Sequence, residues 1–214
     1  MTTTDQLIDQ LARDVPPVPR NAVGRRLAGG LIGGALASVL LLILWLGIRP
    51  DLGTAMHGSA FWMKWSYALA LALIAIGATA RLARPEGDGL RWLWLAAIPM
   101  LLLAGHGIMD MARAPQALWL SMWLGHSWLV CPWRVLVLSV PIFLGLLWSF
   151  RRLAPTRLRE GGAAAGLASG AFAAMVYCLH CPETAAIFVL TWYSLGMLLA
   201  ALAGALLGPR LLRW

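Results

Sequence analysis

Charged residues cut the chain into six uncharged, strongly apolar runs. They lie between Arg26 and Arg49, Lys64 and Arg81, Arg91 and Asp110, Arg134 and Arg151, Glu160 and Glu183, and Glu183 and Arg210, and hold 22, 16, 18, 16, 22 and 26 residues. A helix needs roughly 20 apolar residues to cross the hydrocarbon core. The two 16-residue runs end in Lys64, Arg81, Arg134 and Arg151, whose long stems can snorkel to the interface and extend the span. The pattern therefore predicts six transmembrane helices.

Residues 114–133 are a seventh uncharged stretch. A span there would run into the helix beginning near Val135 with only Arg134 as a turn, which is too short for a helical hairpin. Pro115, Gln116, Ser121, Gly125, His126 and Ser127 alternate there with Trp119, Trp123 and Trp128. Tryptophan favours the headgroup level, so this reads as an interfacial or re-entrant segment before helix four.

With 60% apolar and 12% charged residues in 214, too little polar surface remains to cover a water-soluble globule. With six spans both termini share a side. Thirteen arginines fall on that side, against Arg49, Lys64, Arg113 and Arg134 opposite. The positive-inside rule then makes both termini cytoplasmic. The expected fold is an all-α integral membrane six-helix bundle. Its excess of eight positive charges serves topology and anionic lipid, not a nucleic acid.

Residues 1–26 form a cytoplasmic segment, 27–209 the transmembrane domain and 210–214 a cytoplasmic tail. Residues 4–15 read as a short helix that Thr3 or Thr4 can cap, with Leu7, Ile8, Leu11 and Val15 on one stripe. Pro16, Pro17 and Pro19 end it. So short an amphipathic helix is marginal alone and needs a partner over its stripe, or else lies on the membrane or under the bundle. Helix one carries Gly29, Gly30, Gly33 and Gly34, and helix five is mostly Ala and Gly, which marks it as central and tightly packed. Asp51 can cap the helix that begins after it, Pro141 should bend helix four, and His106 and Asp110 stand one turn apart.

The chemistry gathers in Cys178-Leu179-His180-Cys181-Pro182-Glu183, at the outer end of helix five. Cys131, the third cysteine, opens helix four at the same boundary. In an oxidising periplasm Cys131 and Cys181 can pair across two antiparallel helices. Alternatively Cys178 and Cys181 can hold a soft cation with His180 or Glu183. A static disulfide staple would use the same residues. Three cysteines leave one unpaired, which favours a reactive or metal-sensitive site. No paired carboxylates, nucleophile elbow or phosphate loop is present. A membrane thiol oxidoreductase linked to quinone and a heavy-metal transport protein stay open as alternatives. The first lacks a second redox pair, and the second lacks ligands through the bilayer.

An ordered set of motifs carries a resemblance along nearly the whole chain. It comprises Leu7, Ile8, Leu11, Ala12, Asp14, Pro17 and Val18; Arg49-Pro50-Asp51-Leu52; Trp128 with Cys131; Pro141; and Arg152-Leu153-Ala154-Pro155. Leu179-His180-Cys181, Trp192-Tyr193 and the ending from Leu207 to Trp214 complete it. The set resembles the NrsF-type membrane anti-sigma factors of proteobacteria. The resemblance implies a multi-pass inner-membrane regulator, not an enzyme. Its N-terminal segment, with Leu7, Ile8, Leu11 and Asp14 as binding residues, would hold an extracytoplasmic-function sigma factor inactive. Cys131 and Cys181 would be needed for the response to heavy-metal or oxidative stress; His180, from the reading of the residues above, would be a further metal ligand beside them. Cys178 falls outside the family pattern. No resident cofactor is implied, a heavy-metal ion acting only as a signal.

Overall fold

The computed structural model describes residues 3–13, 22–83, 90–150, 153 and 157–212, and every regular element among them is helical. The first helix, α1 (Thr4–Arg13), starts where Gln6 Oε1 accepts the Thr3 backbone N–H at 3.1 Å, half of a capping box. Ile8 and Leu11 are 58% and 64% exposed, so the rest of the described chain does not cover this stripe. Asp14, Val15 and the three prolines lie outside the described residues, as does the side chain of Leu7.

Next come α2 (Ala22–Trp45), the short α3 (Leu52–His57), α4 (Ser59–Leu82), α5 (Leu90–Leu93) and α6 (Ala97–Arg113). They are followed by α7 (Trp119–Leu124), α8 (Cys131–Phe150), α9 (Leu158–Tyr177) and α10 (Ala186–Phe188). A π-helical turn, Val189–Tyr193, leads into α11 (Ser194–Leu211). Five helices are long and apolar enough to cross a membrane: Ala22–Trp45, Ser59–Leu82, Arg91–Arg113, Cys131–Phe150 and Ala186–Leu211. They make the chain a multi-pass membrane protein. The expected sixth, α9, has 20 residues and is about 30 Å long. It is not among the five, since its 20 residues include Arg159 and Glu160 beside modestly apolar alanines and glycines, and it packs at the centre of the bundle against α2, α4, α8 and α11.

Small residues set that packing. A β-carbon on Gly162, Gly166 or Gly170 would run into the backbone of Gly204, Ala200 or Met197, so α9 and α11 lie antiparallel with their backbones touching. On the other side of the bundle Gly30 meets Gly145, and Gly34 meets Pro141 and Ile142, which brings α2 equally close to α8. Pro141 has no N–H to offer the turn before it. Nearby, the buried Ser38 hydroxyl of α2 donates to the Leu138 carbonyl at 2.8 Å. By contrast α6 buries only Leu103 and Gly107.

Residues 114–130 contain a 310 turn and the six-residue α7, about 9 Å long and too short to cross. Two expectations for single side chains are corrected. Asp51 sits at the N-cap position of α3 but makes no side-chain cap bond, because both carboxylate oxygens are taken by Arg49. Lys64 does not snorkel: it is 1% exposed and turns inward.

Candidate functional site

α9 ends at Tyr177, and the chain closes one more turn in which the N–H groups of His180 and Cys181 both donate to the Tyr177 carbonyl at 3.0 Å. It then runs irregularly through Cys181, Pro182 and Glu183 to α10. Cys131, Cys178 and Cys181 are all free thiols with no exposed surface. One packed core contains all three.

Cationic side chains from three other segments converge on this turn. Arg49, just after α2, donates from Nη1 to the Cys181 carbonyl at 3.2 Å, while its backbone N–H reaches the Leu179 carbonyl at 3.1 Å. Its Nε and Nη2 grip Asp51 at 2.8 and 2.6 Å. Lys64 of α4 donates from Nζ to the carbonyls of Cys181 at 3.0 Å and Glu183 at 2.6 Å. Arg134 of α8 lies 3.3 Å from His180 Nε2. Because His180 Nδ1 faces the Gly47 carbonyl at 3.0 Å, the ring proton belongs on Nδ1, and Nε2 accepts from Arg134.

His180 thus has both nitrogens engaged and serves as a strut between the turns after α2 and α9, not as an open metal ligand. Glu183 is engaged as well. Its Oε1 accepts the His126 backbone N–H at 2.7 Å and the Ser127 hydroxyl at 3.2 Å, which ties α10 to the segment before α8. Cys131 is fixed from the same segment through its N–H to the Ser127 carbonyl at 2.8 Å. Among the described residues no group of three or more His, Cys, Asp or Glu side chains is arranged to hold a metal ion.

Aromatic rings pack beside the turn. Tyr177 and Tyr193 have ring centroids 5.7 Å apart, and Tyr177 lies 5.8 Å from His180. Both tyrosine hydroxyls are buried, that of Tyr193 facing the Cys178 and Cys181 thiols and that of Tyr177 facing Arg134. Tyr193 is brought there by the π-helical turn, a local irregularity that often accompanies function. The Cys178 thiol has no exposed surface and is closed off from water. At rest it is therefore poorly placed for turnover and well placed to respond once the turn opens.

Of the groups around the thiols, Arg49 and Tyr193 fall within motifs already noted in the sequence. Lys64 carried no local signal beyond its position at a span end, and Ser127 and the His126 amide none that linked them to Glu183.

The comparisons with known proteins match this chain end to end. The family model described as negative regulator of sigma F, NrsF, covers residues 11–214. The probable anti-sigma-F factor NrsF of Azospira oryzae is 39% identical over 214 residues, 99% of each chain. The anti-sigma-F factor NrsF of Caulobacter vibrioides is 43% identical over 215 residues, again 99% of each. No solved structure matches. With a family model over nearly the whole chain and full-length relatives at this identity, the chain belongs to the NrsF family of negative regulators of sigma F.

Proposed function

We propose that the protein holds a sigma factor of the extracytoplasmic-function class at the inner membrane and releases it when the thiol turn is attacked by a heavy metal or an oxidant. The observation that carries the reading is the full-length match to two anti-sigma-F factors. Members of this family regulate and do not catalyse. The burial of all three thiols also weighs against a thiol oxidoreductase, whose turnover needs repeated access. Heavy-metal transport is disfavoured because the candidate ligands gather at one end of the bundle.

In this reading α9 is the sixth crossing, shielded from lipid by its neighbours, and both termini face the cytoplasm under the positive-inside rule. Residues 1–26 are the sigma-binding segment, with Leu7, Ile8, Leu11 and Asp14 as contacts; 27–209 are the membrane domain and 210–214 a cytoplasmic tail. The exposure of Ile8 and Leu11 supports the assignment, since an apolar stripe uncovered by its own chain is what a helix-in-groove partner requires. On the opposite face Cys131 and Cys181 receive the signal. Two thiolates suffice for a soft ion of low coordination number, and two thiols suffice for oxidation to a disulfide. Either event alters how α8 and α9 pack, and the bundle carries the change to the cytoplasmic side.

The test is capture of bound proteins from detergent extract by the full chain and by a form lacking residues 1–20, with the captured proteins identified by mass spectrometry. A sigma factor retained only by the full chain supports the proposal. No sigma factor with either, from protein that remains folded, would sink it.

A further inference from the structure

Resting on the reading that the thiol turn receives the signal, we propose that Lys64 is the pin that holds this turn shut, a positioning residue for Cys178 and Cys181. A lysine is among the residues least often fully buried, and a buried ammonium is costly unless its donors are satisfied. Lys64 is 1% exposed and directs its ammonium onto the carbonyls of Cys181 and Glu183.

Those carbonyls have left α9 and have not entered α10. Among the described residues no backbone N–H donates to either, and Pro182 between them has no N–H with which to build a turn of its own. Lys64 is thus the side chain that bridges the two sides of Pro182. Arg49 also holds the turn, from Nη1 to the Cys181 carbonyl at the longer distance of 3.2 Å and from its backbone N–H to the Leu179 carbonyl at 3.1 Å, but it does not reach Glu183, and its Nε and Nη2 are committed to Asp51. The bridge joins the turn to α4, whose other end places Arg81 over the Trp92 ring at 4.3 Å. A turn released from Lys64 therefore loses its bond to a helix that runs the depth of the bundle. Cys131 hangs instead from the Ser127 carbonyl at the head of α8 and is linked to the pin only indirectly, through the Ser127 hydroxyl and the Glu183 side chain.

That difference supplies the test. Three single-cysteine forms of the full-length protein, bearing Cys131, Cys178 or Cys181 alone, are reconstituted in nanodiscs and labelled with a small uncharged maleimide, each with Lys64, Lys64→Met or Lys64→Arg. Lys64→Met should speed labelling at Cys178 and Cys181 by about tenfold or more, because the carbonyls lose their donor and the local opening becomes easier. Cys131 should label at its original rate, and Lys64→Arg, which keeps charge and N–H donors, should restore slow labelling. Equal acceleration at all three cysteines with a lowered melting temperature would show that Lys64 merely supports the fold and would overturn the proposal. Unchanged labelling at Cys178 and Cys181 would overturn it too. Sigma-factor capture by the same Lys64→Met protein without inducer separates this inference from the reading beneath it. Selective opening with release supports both. Selective opening with full retention upholds the pin and removes the thiol turn as the trigger.

Discussion

Gly125 and Glu183 approach so closely that a β-carbon on Gly125 would stand 2.6 Å from Glu183 Oε2. Gly125 also has φ +56° and ψ −162°, a backbone conformation that essentially only glycine adopts and that costs a side chain about 1–3 kcal/mol. Its conformation lets the next amide, that of His126, point at the carboxylate. Gly125→Ala should therefore destabilise the protein by about 1–3 kcal/mol or more. Glu183→Ala, which strands the His126 amide and the Ser127 hydroxyl, should cost about 1–3 kcal/mol. Thermal unfolding in detergent should show both, and the double variant should fall short of the sum, since Glu183→Ala removes the carboxylate that the new methyl would strike.

The glycines separate into two classes with opposite expected effects. Gly166→Ala places a methyl against the Ala200 carbonyl, where neither backbone can yield cheaply, and should destabilise by about 1–3 kcal/mol. Gly33 has nothing within 4 Å of its would-be β-carbon. Gly33→Ala should be neutral or stabilising by up to about 1 kcal/mol, because alanine favours the helix. Equal melting temperatures for the two variants would contradict this account of the bundle.

Cys131→Ser and Cys181→Ser should each leave sigma-factor capture intact at rest and abolish release by cadmium or a thiol oxidant. Serine keeps the size of cysteine but neither the soft ligand nor the redox chemistry. A reporter driven by the sigma factor reads this in cells, and full induction in both variants would eliminate the thiol trigger.

The Arg49 guanidinium beside Asp51 holds its carboxyl below the usual value and is itself raised by the same bond. A carboxylate depressed in the folded state stabilises above its unfolded value and loses that contribution as the pH falls through the folded one. The melting temperature of the native protein should thus exceed that of Asp51→Asn at neutral pH, and the gap should close below about pH 4. Asp51 is fully exposed, so the gap should be small and should shrink further in salt.

Ile8→Asp and Leu11→Asp change a surface that no described part of the chain covers. Each should weaken sigma-factor binding at least about tenfold, as loss of an apolar anchor does, while shifting the melting temperature little. A large drop in melting temperature with binding retained would show that the stripe packs on the bundle instead.

Five of the six expected spans and the break before α8 were legible in the chain because a bilayer imposes a length and a polarity on whatever crosses it. Uncharged runs flanked by arginine, and a tryptophan-rich stretch broken by proline and glycine, can be read without knowing what packs on what. The central place of α9 followed from its alanines and glycines for a related reason: such a helix offers little but close approach. The cysteine, histidine and carboxylate of residues 178–183 announced a site through their chemistry alone.

What those residues do for one another came only from the tertiary structure. His180 and Glu183 have the side chains of metal ligands, yet each is engaged by partners 46 to 133 positions away in the chain. Lys64 matched the pattern of a snorkelling anchor, and its stem is long enough for either role. Its burial was decided by two carbonyls stranded around Pro182, which lie more than a hundred residues further on. Hydropathy and charge act on each residue through the solvent and leave their trace locally. A hydrogen bond depends on where a distant backbone group comes to lie, and that is settled when α4, α8 and α9 pack.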